Sequence, residues 1–195
     1  MKTILHLCAD IGSDSNPYRD AGYNVICVGE KEDVRTFNPP SDVYGVIANP
    51  PCTMFSFCRT NAKKPRNLIA GMELVNACLR IIWECQSRIK NDAQKTPPLK
   101  FWVIENPNGM LRWFLGKPAM IYNPYHFGEE YQKRTNLWGI FNEPIAPALH
   151  GEKPVKFDRL ASKDIHPEFY GTLTRTERRS VCSERFAQAF FEANP

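Results

Sequence analysis

Paired cysteines, long apolar runs and a strong charge of either sign are what this sequence lacks. Its cysteines, Cys8, Cys27, Cys52, Cys58, Cys78, Cys85 and Cys182, are odd in number and include no Cys-x-x-Cys pair. That spacing excludes a disulfide framework and the usual zinc module, and points to a reducing compartment with no metal. No apolar stretch approaches the ~18 residues of a membrane span, and the run from Met1 to Asp10 is too short and too soon acidic for a secretory signal. A cytoplasmic protein with no membrane partner is expected. The net charge of +4 permits a polyanionic partner without forming the basic stripe of a dedicated nucleic-acid binder. Internal repeats, low-complexity tracts and linkers are also missing, so the 195 residues should form one domain.

What is there can build a core: hydrophobic residues make up 43% and aromatics 12%, a balance unlike that of disordered chains. Sixteen prolines imply many loops. Short β-branched runs ending at Gly, Asp, Asn or Pro alternate with helical patterns, the mark of an α/β fold with a mostly parallel sheet and helices on both faces. Strands are expected at Thr3 to Cys8, Asn24 to Val28, Val43 to Ala48 and Phe101 to Ile104, with a weaker one at Asn136 to Phe141. Leu68, Met72, Val75, Leu79 and Ile82 recur at helical steps and predict a long amphipathic helix from Pro65 to about Ile89. Cys8, Cys27, Cys78 and Cys85 fall in apolar stretches and are expected as buried fillers. From about 142 the chain turns irregular, and a closing helix is expected within Arg178 to Ala193.

Ligands of an open parallel sheet bind at the carboxyl ends of its strands, so the turns there carry the functional information. After the first strand, Asp10-Ile11-Gly12-Ser13-Asp14-Ser15-Asn16 lets a ligand approach the backbone, or is an ordinary turn with Asp14 or Ser15 capping a helix. After the second, Glu30 is spaced to bind the hydroxyls of a ribose and Asp33 to accept from an adenine amino group. Exposed surface acids are the alternative for both. After the third comes Asn49-Pro50-Pro51-Cys52, a turn stiffened by two prolines that holds a thiol where core packing is poor and attack is easy. Arg59, Lys63, Lys64 and Arg66 follow with no acid between Cys52 and Gly71. They form either a solvated face or a positive field favouring the thiolate. After the fourth, Glu105-Asn106-Pro107 brings a carboxyl to the same edge, able to protonate a ring nitrogen if its pKa is raised.

This order of Gly12, Glu30, Asp33, Pro50-Pro51-Cys52 with Phe55-Ser56, Glu105-Asn106 and Gln132-Lys133-Arg134 resembles the DNA (cytosine-5) methyltransferases over roughly residues 3 to 140. The resemblance implies a Rossmann-like methyltransferase fold, S-adenosylmethionine as methyl donor and DNA, duplex or single-stranded, as partner. It implies catalysis by Cys52, Glu105 and Arg134. Cofactor contacts would come from Asp10, Ile11, Gly12, Glu30, Lys31, Asp33, Val34, Asn49 and Pro51. Acceptor contacts would come from Phe55, Ser56, Arg59, Lys63, Lys64, Arg66, Asn106 and Gln132.

The sequence departs from the family at Asp10 and Ser13, which stand for glycines, at Thr53, which stands for glutamine, and at Asn136, which stands for a second arginine. Only about 40 residues separate Leu137 from Arg178, where the family carries a large target-recognition region. A short target context, or a partner protein for targeting, is therefore expected. The rival readings are methylation of RNA or a free pyrimidine nucleotide, an amino-methyltransferase, and a non-catalytic binding protein.

Overall fold

The computed structural model describes residues 1–9, 11–29, 31–60, 62–87, 99–155 and 171–195. Its centre is a six-stranded sheet in the order β2-β1-β3-β4-β6-β5. The strands are β1 (Thr3–Leu7), β2 (Asn24–Val28), β3 (Val43–Ala48), β4 (Phe101–Pro107), β5 (Met120–Tyr122) and β6 (Thr135–Ile140). The pairings of β1 with β2, β1 with β3 and β3 with β4 are parallel, whereas β6 lies antiparallel to both β4 and β5. The sheet is thus mixed, with β6 alone reversed. All five residues of β1 are buried, as expected of a strand covered on both faces.

Alternation assigns those faces. Leu5, Leu7, Val46, Ala48 and Ile104 pack with Val75, Cys78, Ile81 and Cys85 of α2 (Leu68–Ser87). Ile4, Ile47, Phe101 and Val103 turn the other way, toward Tyr18 of α1 (Asn16–Asp20) and Phe186 and Phe190 of the last helix. Gly45 makes this possible: a Cβ there would lie 2.3 Å from the ring of Phe101, its partner in register on β4.

Several expectations need correction. The helix expected from Pro65 starts at Leu68, and Ile89 lies outside the described residues. Its buried stripe is Gly71, Val75, Cys78, Ile82 and Cys85, while Trp83 is 69% exposed. The stripe is rotated toward the cysteines because they, with Gly71, are small enough to let the helix lie close to the sheet. The closing helix is two: α4 (Arg175–Ser180) and α5 (Glu184–Ala193), preceded in chain order by the single turn α3 (Arg112–Leu115). Ser183 divides them, because its hydroxyl accepts from the amide of Phe186 and starts a new helix. β5 escaped the pattern because three residues are too few to show alternation. Cys27 is exposed, not buried. No helix among the described residues is long and apolar enough to cross a membrane.

The C-terminal helix is tied to the rest of the fold by specific contacts. Tyr122 stacks on Phe186 with centroids 3.8 Å apart. The side chain of Asn194 exchanges two hydrogen bonds with the backbone of Asn142, and Tyr18 Oη donates to Asn194 O at 2.9 Å. Full burial of each phenylalanine stabilises by about 1.5 to 3 kcal/mol, enough to hold α5 across the sheet.

Candidate active site

From β1 the chain passes to β2 on one side, whereas β3 lies on the other and leads through α2 to β4. The carboxyl ends of β1 and β3 therefore flank a topological switch point, where connections diverge and leave a crevice. Asn49 N donates to Leu7 O at 3.0 Å, so the two turns leave the sheet side by side. The first turn is conformationally special. Cys8 has φ 55, in the left-handed region that non-glycine residues avoid. Gly12 has φ +73, and a Cβ there would meet the sulfur of Cys27 at 3.4 Å, so the first turn needs glycine. Neither Asp14 nor Ser15 caps a helix with its side chain.

A buried polar network joins these turns to β4. His6 Nε2 lies 2.7 Å from Asn49 Oδ1 and Nδ1 lies 2.9 Å from Ser15 Oγ. The amide of Asn49 then faces two acids, with Nδ2 donating to Asp14 Oδ1 at 3.3 Å and to Glu105 Oε2 at 3.4 Å. Burial disfavours a charge on His6, but bonding to Cys27 and the field of Asp14 outweigh it and raise its pKa. In return His6, with help from Arg19, lowers the pKa of Cys27 against the effect of burial. Glu105 is pushed above the ordinary carboxylate range, first by desolvation and then by Asp14, while Lys133, Asn49 and His6 oppose the shift. A carboxyl in that setting is a proton donor in waiting. Under α5, Glu105 and Asp14 line a small space of about 10 Å³ together with Phe186 and Phe190.

The Cys52 turn is built from its own backbone. Pro51, with φ −50, feeds a short 3-10 helix, Cys52–Met54, and Cys52 O accepts from the amides of Phe55 and Ser56 at 2.9 and 2.8 Å. Asn106 Nδ2 donates to Pro50 O at 2.7 Å and couples the turn to the strand that carries Glu105. The same side chain keeps a buried Oδ1 with no hydrogen-bond partner among the described residues. Phe55 is fully buried against Gly71, where a Cβ would lie 2.9 Å from its ring. It anchors the turn to α2 and presents no surface to an acceptor.

Two of the expected phosphate ligands turn inward. Arg66 donates to Met54 O and Ser56 O, each at 2.9 Å. Arg59 donates to Lys64 O at 2.7 Å, which leaves Lys63 and Lys64 as the exposed cations of the loop. Arg66→Ala is expected to destabilise the fold by about 1 to 3 kcal/mol, because two carbonyls lose a charged partner. Arg66→Lys should rescue it only in part, since an ammonium lacks the fork. Urea unfolding midpoints check this, and an unchanged midpoint for Arg66→Ala would remove the strut.

The thiol itself differs from expectation. The pKa of Cys52 is raised, by desolvation first and then by the charge of Glu105, and the cations that oppose this are Lys133 and Arg179. The basic loop that follows it in sequence is not what acts on it. Alkylation of Cys52 by iodoacetamide should therefore have a midpoint above the ordinary thiol value. Glu105→Gln should lower that midpoint and Lys133→Ala should raise it, as read by mass spectrometry of the Cys52 peptide. A midpoint indifferent to both would disconnect the three groups.

The remaining expected residues are scattered. Asp10 and Glu30 lie outside the described residues. Ile11 is half-buried in the first turn, Lys31 is exposed and Val34 belongs to the core beside α2. The carboxylate of Asp33 is engaged by the guanidinium of Arg35 at 2.7 Å, and that pairing lowers its pKa to about 2. Gln132 is buried, with Nε2 donating to Pro154 O. Arg134 is exposed, whereas its neighbour Lys133 is the residue whose charge reaches both Cys52 and Glu105. Sequence reasoning missed His6, Asp14, Lys133 and Arg179. Side-chain alternation into β6 was the one available signal: 133 and 137 share a face, and Leu137 is the register partner of Glu105.

No protein-family model matches the chain, and no curated protein matches it.

Proposed function

We propose that the chain is a compact, Rossmann-like, S-adenosylmethionine-dependent methyltransferase acting on C5 of cytosine in DNA. The observation that carries this reading is the pair of side-chain amides, Asn49 and Asn106, that couple the Cys52 turn to the Glu105 strand at the switch point. A nucleophile and a carboxyl with a raised pKa on one crevice edge suit addition across a pyrimidine ring.

Cys52, once deprotonated, adds through sulfur to ring C6. Glu105, in the protonated form that its burial favours, donates to N3, which takes up the electron density that the addition pushes into the ring. The resulting enamine makes C5 nucleophilic, which neutral cytosine is not. Once C5 is methylated, its proton passes to water, N3 returns its proton to Glu105 and the C6–S bond breaks to release the Cys52 thiolate, which restores the aromatic ring. Lys133 stabilises the thiolate before attack and after release. The base must be unpaired or flipped out to meet the thiol, at a cost of a few kcal/mol from a duplex.

The described residues fit the cofactor in one respect: the turn after β1, at the switch point, carries Gly12 in a left-handed backbone conformation that favours glycine. Gly12, Ile11, Asn49 and Pro51 would hold S-adenosylmethionine together with Asp10 and Glu30. When bound, the cofactor supplies the electrophilic methyl group.

Incubation with labelled S-adenosylmethionine and duplex DNA, single-stranded DNA, RNA or dCMP, followed by nucleoside analysis, tests the reading. 5-Methylcytosine in DNA supports it. Label confined to RNA or dCMP would move the acceptor, and no transfer to any of them would favour a binding protein.

A further inference from the structure

Beside the Cys52 turn the surface combines exposed rings with exposed cations. Phe57 is 45% exposed, Trp113 64% and Phe114 47%. Trp113 and Phe57 lie with centroids 6.0 Å apart and planes tilted by 58°, so neither ring covers the other's face. Phe114 rests edge-on against buried Phe55 at 6.2 Å. The two segments that supply these rings are joined: Ser56 and Gly109 form a β-bridge, and Met110 N donates to Phe55 O at 2.8 Å. Neither segment contains an acid, from Cys52 to Gly71 or from Asn106 to Gly128. Together they expose Lys63, Lys64, Arg112 and Lys117.

An aromatic surface needs an apolar or π-faced partner, and a basic surface without acids needs an anionic one. Unpaired nucleotides meet both demands, since a single strand carries phosphates and open base faces together. A duplex hides those faces in its stack and offers only groove edges and phosphates. An acidic protein would satisfy the cations but not the rings.

We propose that Phe57 and Trp113 form a stacking platform for unpaired bases next to the target, and that the preferred acceptor is single-stranded DNA. This rests on the methyltransferase reading for the identity of the acceptor, but the platform binds without the chemistry. Lys63, Lys64, Arg112 and Lys117 hold the flanking phosphates.

The test uses the full chain, without cofactor, and a fluorescently labelled 12-nucleotide DNA titrated as single strand, as duplex and as the matching RNA. The single strand should bind at least about 10-fold more tightly than the duplex. Trp113→Ala and Phe57→Ala should each weaken single-strand binding by about 5- to 150-fold, the effect of losing one stacked base, with little change for the duplex. Trp113→Phe should retain most of the affinity, and Trp83→Ala, exposed on α2, should retain all of it. Equal binding of duplex and single strand, or full affinity in Trp113→Ala, would overturn the platform. Tighter binding of RNA would overturn the assignment to DNA. Methyl-transfer assays on the wild-type chain separate the two readings: no transfer to any acceptor with ring-dependent binding intact removes the catalytic reading and leaves the platform standing, whereas transfer without ring-dependent binding removes the platform alone.

Discussion

Replacing Cys52 with alanine is expected to take methyl transfer below detection, a fall on the order of 100,000-fold or more, the scale seen when a covalent nucleophile is removed. No neighbouring group can substitute. Glu105 offers only a carboxyl, a far weaker nucleophile than a thiolate, and Cys58, exposed beyond the turn, has its amide tied to Ser56 Oγ at 3.2 Å. The fold should survive, because the turn is made by the carbonyl of Cys52 and not by its sulfur. Thermal unfolding should show a small change, and binding of S-adenosylmethionine by calorimetry should persist. Cys58→Ala is the matched control and should turn over normally. Turnover retained in Cys52→Ala would remove the covalent mechanism altogether.

Glu105→Gln is expected to lower turnover by about 100- to 10,000-fold, the usual worth of a positioned acid, with cofactor affinity essentially unchanged. The amide keeps the carboxyl's shape and can still accept from Asn49, but cannot pass a proton to N3. The pH dependence gives a second signature. Because the pKa of Glu105 is raised in the fold, the active protonated form persists above the ordinary carboxylate range and is lost as pH rises through that raised value. The wild-type limb of falling activity should therefore vanish in Glu105→Gln. Stability follows the same sign: ionising a desolvated carboxyl costs the folded state, so the wild type loses stability as pH rises through the raised pKa while the variant does not. Glu105→Gln should then be the more stable protein at neutral pH, as urea unfolding at several pH values would show. A loss of cofactor binding equal to the loss of turnover would refute the assignment of Glu105 to the acceptor side.

Strand positions were legible because burial on both faces of a central strand demands runs dominated by apolar residues, such as Thr3–Leu7 and Val43–Ala48. The order of turns was legible too, since Gly, Pro and Asn punctuate the chain wherever the backbone must leave the sheet. Cys52 and Glu105 stood out for a related reason: Cys52 lies in the turn after β3, and Glu105 in the last residues of β4, which runs to Pro107 beyond its expected end at Ile104. The sequence also carries the acid-free segments on either side of the bridge between Ser56 and Gly109.

What local pattern cannot carry is which side chains meet. Arg59 and Arg66 looked like free cations, yet they close on carbonyls of their own loop, because a guanidinium near an unpaired backbone acceptor binds it before it binds a distant phosphate. The basic run looked like the field that would ionise Cys52, but Coulomb energy depends on distance through space, and the cations that act on the thiol are Lys133 and Arg179, far away in the chain. His6 read as one more residue of a buried strand until Asn49, Ser15 and Asp14 arrived from other turns to surround it. The sequence by itself determined every strand but β5, the turns and the presence of a thiol and a carboxyl on one edge. Tertiary structure alone decided their protonation, because desolvation and through-space charge are set by neighbours that only the folded sheet brings together.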